Sequence, residues 1–348
     1  MKPLLPALIL VSAIGLLAGC ASTNPNDPPL LTFDSGKLPP ADVALKIDGL
    51  GPCTDNPDRT LHLDSRQPVT VFVHGCFGSA GLFRALAQVH AFHGQQTACF
   101  TYNDRDSMMV SSGQLVSSLD ALSARMHNKQ ITVIGHSQGG LIARKALVGE
   151  RPDALKARDI DLRLVTISAP FAGIASADTC GSRTARLLSL GLTVPLCKII
   201  TGDKWYEITY ASDFIRKPGP LIGQVGRYLK IVTDERGTCR RFDDDKVCAE
   251  SDYVFSLDEQ RNPGVDEAGG VKITEVNAGH VEIVGNRRVI PVKLIALLQQ
   301  NGILNPTEAD RSAAFNTLLA ELYLRDAQAS SMATTSNLES CQACAYLK

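Results

Sequence analysis

The chain has 348 residues, more than a minimal domain needs and within reach of one large α/β unit carrying insertions. Apolar residues make up 44% and charged residues 20%, ordinary globular usage, so most of the chain is expected to fold. A net charge of −1 sets up no field for gathering phosphate backbones, and no nucleic-acid partner is expected.

Lys2 opens the chain, and an apolar run over 4–19 follows, broken by Pro6 and two glycines. A membrane-spanning helix needs about 20 consecutive apolar residues, so this run fits a cleaved signal peptide over 1–19 better. Leu17-Ala18-Gly19-Cys20 resembles the lipobox of bacterial lipoproteins, whose cysteine becomes the new N-terminus and carries acyl chains. The resemblance implies lipidation at Cys20, and several acyl chains anchor a protein stably where one does not. Ala21-Ser22, in place of an aspartate, implies release to the outer membrane in a Gram-negative host. Residues 20–41, rich in proline and polar side chains, bury too little to order themselves and read as a linker.

The folded unit is expected over 42–302. Short strands are read at 43–47, 60–63 and 69–73, separated by turn residues, and the third is almost wholly apolar, as a strand buried on both faces should be. Helix and strand then alternate: helix 82–93, strand 98–102, helix 111–126, strand 131–134, helix 139–148, strand 162–167. Strands at 228–232 and 271–276 follow, and Pro291 opens a helix that ends before Gly302. Strict alternation means a parallel sheet with crossover helices. It lapses over about 171–226, too long for a structureless loop, so an inserted lid over the strands' carboxyl ends is expected there. Phe315, Leu318, Leu319 and Leu322 repeat at helical spacing within a C-terminal segment, 303–348, that ends in a polar tail.

Ten cysteines, nine of them beyond Cys20, suit an oxidising compartment. Cys180 with Cys197, and Cys239 with Cys248, each bracket a turn-rich stretch and are expected to bridge. Cys341 and Cys344 have redox-motif spacing but lack the strand-to-helix setting that redox chemistry needs, so only a local bridge is expected. Nine is odd, which leaves one thiol free. No cysteine or histidine set has zinc-site spacing, and neither metal nor other cofactor is expected.

The chemistry concentrates at Gly135-His136-Ser137-Gln138-Gly139, a G-x-S-x-G pentapeptide between a buried strand and a helix. A serine forced into a sharp strand-to-helix turn needs small neighbours, and Gly135, Gly139 and Gly140 supply them. Upstream, Val71-Phe72-Val73-His74-Gly75-Cys76 ends another buried strand in His-Gly. Together these motifs resemble α/β-hydrolases of the lipase and esterase type over residues 69–300. The resemblance implies an α/β-hydrolase fold, a mostly parallel sheet with helices on both faces and an inserted lid. It further implies an oxyanion hole made by the backbone N–H groups of Cys76 and Gln138, worth several kcal/mol of barrier in a dry site. His74 reads as a residue that shapes its loop. Thr166-Ile167-Ser168-Ala169-Pro170 looks like the family's strand into the lid, with Ser-Ala-Pro in place of a commoner Thr-Pro.

In this fold the triad runs serine, acid, histidine along the chain. Of seven histidines only His280 follows Ser137, which makes it the expected base. Thirteen aspartates lie between the two, and Asp234 and Asp252 compete for the acid. Asp234 directly follows the strand 228–232. Asp252-Tyr253-Val254-Phe255 resembles the family's Asp-x-Val acid loop, and Asp252 is the expected acid. The family's antiparallel second strand would start at the catalytic edge, which implies a Cys53–Cys76 bridge and leaves Cys99 as the buried free thiol.

The expected activity is that of an esterase or lipase-like serine hydrolase acting on ester or lipid acyl substrates at a membrane. A thioesterase, phospholipid deacylase or acyltransferase would use the same residues. A lipoprotein binding module that has lost catalysis is the reading from another class, and the intact serine and histidine oppose it.

Overall fold

The computed structural model describes residues 38–76, 78–174, 204 and 206–324. Seven strands make one sheet in the order β11-β8-β7-β6-β4-β5-β2. They are β2 (Leu50–Gly51), β4 (Val69–Val73), β5 (Gln96–Phe100), β6 (Gln130–His136), β7 (Asp161–Ile167), β8 (Val225–Asp234) and β11 (Val271–Asn277). All neighbours pair in parallel except β2, which runs antiparallel to β5 at the edge.

Side chains of a strand alternate between faces, so each inner strand feeds two cores. Val71, Val133 and Leu164 enter one core with Leu115, Leu119 and Leu122 of α1 (Met108–Arg125) and Leu141 and Ile142 of α2 (Gln138–Ala146). Their sequence neighbours Phe72, Ile134 and Val165 enter the other core, against Leu86 and Val89 of the helix Arg84–Phe92. Leu294 and Leu298 of the helix Val292–Gln300 close that face. Phe315, Leu318 and Leu319 of the helix Ser312–Tyr323 join it as their spacing predicts, with Phe315 5.2 Å from the Phe92 ring.

From β4 the chain passes to β5 on one side, then back across to β6, β7 and β8 on the other. This reversal leaves a crevice beyond the carboxyl ends of β4 and β6, where open α/β sheets bind ligands. Residues 74–76 and Ser137 lie at those two strand ends.

The first strands differ from expectation. Here β1 (Val43–Leu45) and β3 (Leu61–Leu63) pair with each other in a separate two-stranded sheet, and the antiparallel place in the main sheet goes to β2. Cys53 therefore follows the antiparallel strand instead of preceding it, and lies away from the catalytic edge. Gly51 is opposite Cys99, and the bridge is Cys53–Cys99, not Cys53–Cys76. With β5 standing between β2 and β4, Cys76 is out of reach and is the free thiol among the described residues, the part expected of Cys99. Cys239–Cys248 is bridged as expected, and it closes a hairpin of β9 (Cys239–Phe242) and β10 (Cys248–Ser251).

Cys20, the linker, the Cys180–Cys197 pair, most of the insertion and the Cys341–Cys344 pair lie outside the described residues. Among the described residues no helix is long and apolar enough to cross a membrane.

Candidate active site

Ser137 stands between the end of β6 and the start of α2 with φ 57° and ψ −129°, a conformation that costs an L-residue about 1–3 kcal/mol. The surroundings hold it there. Its N–H donates to Ile167 O at 2.9 Å, tying the turn to β7, and its carbonyl accepts from Gly140 N at 2.9 Å. A Cβ at Gly135 would lie 2.7 Å from Gly140 Cα, and one at Gly140 would lie 2.7 Å from Ala169 Cβ. A Cβ at Gly139 would collide with the carbonyl oxygens of Val73 and His74. The three glycines are thus a consequence of how closely α2 passes the ends of β4, β6 and β7.

Across the crevice, Gly78 N–H donates to Gly75 O at 3.2 Å and closes the loop after β4. A Cβ at Gly75 would sit 2.9 Å from Ser137 Cβ, so this loop lies directly against the serine. Among the described residues the backbone N–H groups of Cys76 and Gln138 meet no backbone or side-chain acceptor. Gln138 is the first residue of α2, where N–H groups have no partner within the helix. His74 is buried, stacks on Tyr102 at 4.3 Å and points Nδ1 at Gly75 O, 2.9 Å away. Burial pushes its pKa down, so it stands as a neutral ring shaping the loop, as expected.

His280 follows β11. Its N–H donates to Asp252 O at 3.0 Å, and its carbonyl is 3.0 Å from His136 Nε2, beside the serine. The imidazole is buried and meets the Phe255 ring edge-on at 4.9 Å. Its Nδ1 is 3.0 Å from Glu235 Oε1 and 2.9 Å from Ser168 Oγ. Ser168 also donates to Glu235 Oε1 at 2.7 Å, while the Thr233 hydroxyl lies 2.8 Å from Ser168 Oγ and 2.9 Å from Glu235 Oε1. The other carboxylate oxygen, Oε2, accepts from the N–H groups of Val254 and Phe255 at 2.6 and 2.8 Å. Burial pushes the Glu235 carboxyl up, but the His280 hydrogen bond and charge, with the Phe255 and Ser168 donors, outweigh it and hold the pKa below its ordinary value.

The carboxylate on the histidine is therefore Glu235, not Asp252. Asp252 is buried as expected but faces the backbone: it accepts from Val281 N at 3.1 Å, from Glu282 N at 2.9 Å and from Arg240 Nε at 2.9 Å. A Cβ at Gly279 would strike its carboxylate, which is why the turn carrying His280 begins with glycine. Asp252 thus anchors the His280 turn without touching the ring. Asp234, the other contender, pairs with Arg236 at 2.6 Å at the surface. A search confined to aspartates passed over Glu235, one residue on. Strand alternation is the signal that could have found it: Thr233 and Glu235 share the inward face at the end of β8, and Asp234 points away. Ser168 and Lys204 were also missed as members of the site.

Residues 64–179 match the family model described as a PGAP1-like alpha/beta domain. That match covers a third of the chain, and the sheet order, the antiparallel edge strand and the serine turn give the chain the α/β-hydrolase fold. No curated protein matches the chain in sequence. Similar solved structures include the mature lipase BlEst2 of Bacillus licheniformis, 16% identical over 69% of this chain and 93% of that one, with a TM-score of 0.46. Esterase B of Lactobacillus rhamnosis is 13% identical over 77% of this chain and 80% of its own, with a TM-score of 0.43. Likenesses this distant leave the reaction to be argued from the residues themselves.

Two substitutions separate the carboxylates by what each one holds. Glu235→Gln should abolish the low-field proton resonance of the His280 Nδ1–H, whereas Asp252→Asn should keep it and lower stability by about 1–3 kcal/mol through the backbone donors it weakens. Proton NMR and denaturant melts read the two effects, and the reverse pattern would return Asp252 to the triad.

Proposed function

We propose that the protein hydrolyses carboxylic esters through an acyl-enzyme on Ser137, with His280 as the base and Glu235 as the acid. The observation that carries this reading is the forced conformation of Ser137 beside the Glu235–His280 pair. A non-catalytic protein gains nothing from a strained serine at the mouth of a topological crevice.

Ser137 Oγ attacks the acyl carbon while His280 Nε2 takes its proton, and Glu235 on Nδ1 fixes the tautomer and stabilises the imidazolium. The N–H groups of Cys76 and Gln138 receive the negative charge that moves onto the carbonyl oxygen. As the tetrahedral species collapses, the imidazolium returns its proton to the leaving alcohol. Water then adds to the acyl-enzyme with His280 again as base, releasing the acid and restoring the serine.

An apolar acyl chain suits the segments that leave this edge. Exposed Leu82 follows the loop after β4, exposed Met109 and Val110 open α1, and exposed Tyr206 and Tyr210 come from the insertion. The same reading places the enzyme at a membrane, tethered by acyl chains on Cys20 at the outer membrane. It rests on the Leu-Ala-Gly-Cys motif and the linker behind it.

Ser137→Ala should lower turnover of p-nitrophenyl esters by at least about 10³ while the melting transition is kept, and a series of acyl lengths should favour chains longer than acetate. Activity near wild type in that variant would end the assignment. Fractionation of a Cys20→Ser variant should find the protein released from washed outer membranes, and its retention there would refute the tether.

A further inference from the structure

Lys204 is the one residue of the stretch 175–205 whose placement the structure describes, and its ammonium is almost wholly buried. A buried ammonium is costly unless paired and hydrogen-bonded, so its partners reveal what it is held for. Lys204 Nζ donates to Gln138 Oε1 at 2.7 Å and lies 3.1 Å from Cys76 Sγ and 3.5 Å from Asp104 Oδ2. Gln138 Nε2 in turn reaches Asp104 O at 3.4 Å. Asp104 follows β5, Cys76 follows β4 and Gln138 follows β6, three strands that are neighbours in the sheet. One ammonium thus gathers three successive strand ends.

Two of those partners are the residues whose backbone N–H groups the proposed reaction assigns to the oxyanion. We propose that Lys204 is a positioning residue of the oxyanion hole, holding the Cys76 and Gln138 side chains so that their two N–H groups converge on one point. The inference rests on the proposed esterase reading and deepens it. The loop after β4 is braced by the Gly78–Gly75 turn and by the Tyr102 hydroxyl, which donates to His74 O at 2.7 Å. Backbone packing of Gly75 on Ser137 sets the start of this loop, and the link from the Cys76 side chain to that of Gln138 runs through Lys204. Lys204 spans the crevice between the two, with Asp104 Oδ2 within ion-pair distance of its ammonium. Such a group acts on the transition state more than on the bound substrate, because only in the transition state does charge develop where the two N–H groups meet.

The test is steady-state kinetics on the full chain with a p-nitrophenyl ester, together with inhibition by a trifluoromethyl ketone, whose hemiketal on Ser137 mimics the oxyanion. Lys204→Met should lower kcat roughly 10- to 100-fold, as a misplacement of about an ångström does, with KM changed by less than about threefold. The ketone Ki should rise by the same factor as kcat falls, and Lys204→Arg should restore part of both. Unchanged or raised kcat would overturn the proposal, since it would make Lys204 a latch or a bystander, and so would an unchanged Ki. If Lys204→Met does not fold, Asp104→Asn leaves the lysine in contact with Gln138 and Cys76 and should give a smaller parallel loss in kcat and ketone affinity. Loss of neither there would count equally against it. Should the wild type itself neither hydrolyse esters nor bind the ketone, the parent reading fails instead, so the two failures are distinct.

Discussion

Everything at the crevice depends on the close approach of the first turn of α2 to the ends of β4, β6 and β7. That approach forces Ser137 into φ 57° and leaves no room for a Cβ at Gly135, Gly139 or Gly140. The strain is about 1–3 kcal/mol, small against the two cores that impose it and large enough that an unconstrained serine would relax. The same geometry leaves the Gln138 N–H without an acceptor among the described residues, as the Cys76 N–H on the facing loop is. The proposed nucleophile and the proposed oxyanion donors are products of one packing arrangement.

The second half of the site is electrostatic. Glu235 is removed from water yet remains below its ordinary pKa, because the His280 hydrogen bond and charge, with donors from Phe255 N–H and Ser168 Oγ, outweigh the cost of burial. A carboxylate so held keeps its charge at the ring nitrogen as the imidazole takes a proton. Asp252 completes the support from behind by fixing the 280–282 backbone, so two buried carboxylates divide the work of orienting one histidine. The Phe255 ring packs on the imidazole and belongs to the same segment whose N–H groups hold Glu235.

What the sequence disclosed follows from the physics of each signal. The serine turn and the largely apolar strands were legible because glycine spacing and burial on both faces leave few alternatives. His280 was legible because chain order admits no other histidine. Glu235 was hidden by an expectation of aspartate; it stands one residue past the end of β8 and faces His280, while Asp234 pairs with Arg236. Cys53–Cys99 was hidden because β2 has two residues, too few to show any period, and the longer apolar stretch at 60–63 took its place in the reading. The contact of Lys204 with two loops joins residues 66 and 128 positions apart, which no local pattern encodes.

The central claim is that Ser137 is the reactive group of this crevice, made so by its turn and by the His280–Glu235 pair. Its most direct test is to treat the intact protein with a fluorophosphonate and locate the adduct by peptide mass mapping. A single adduct on Ser137, lost in a His280→Ala variant, is the predicted result. No adduct, or one on another serine such as the fully buried Ser168, would contradict the account.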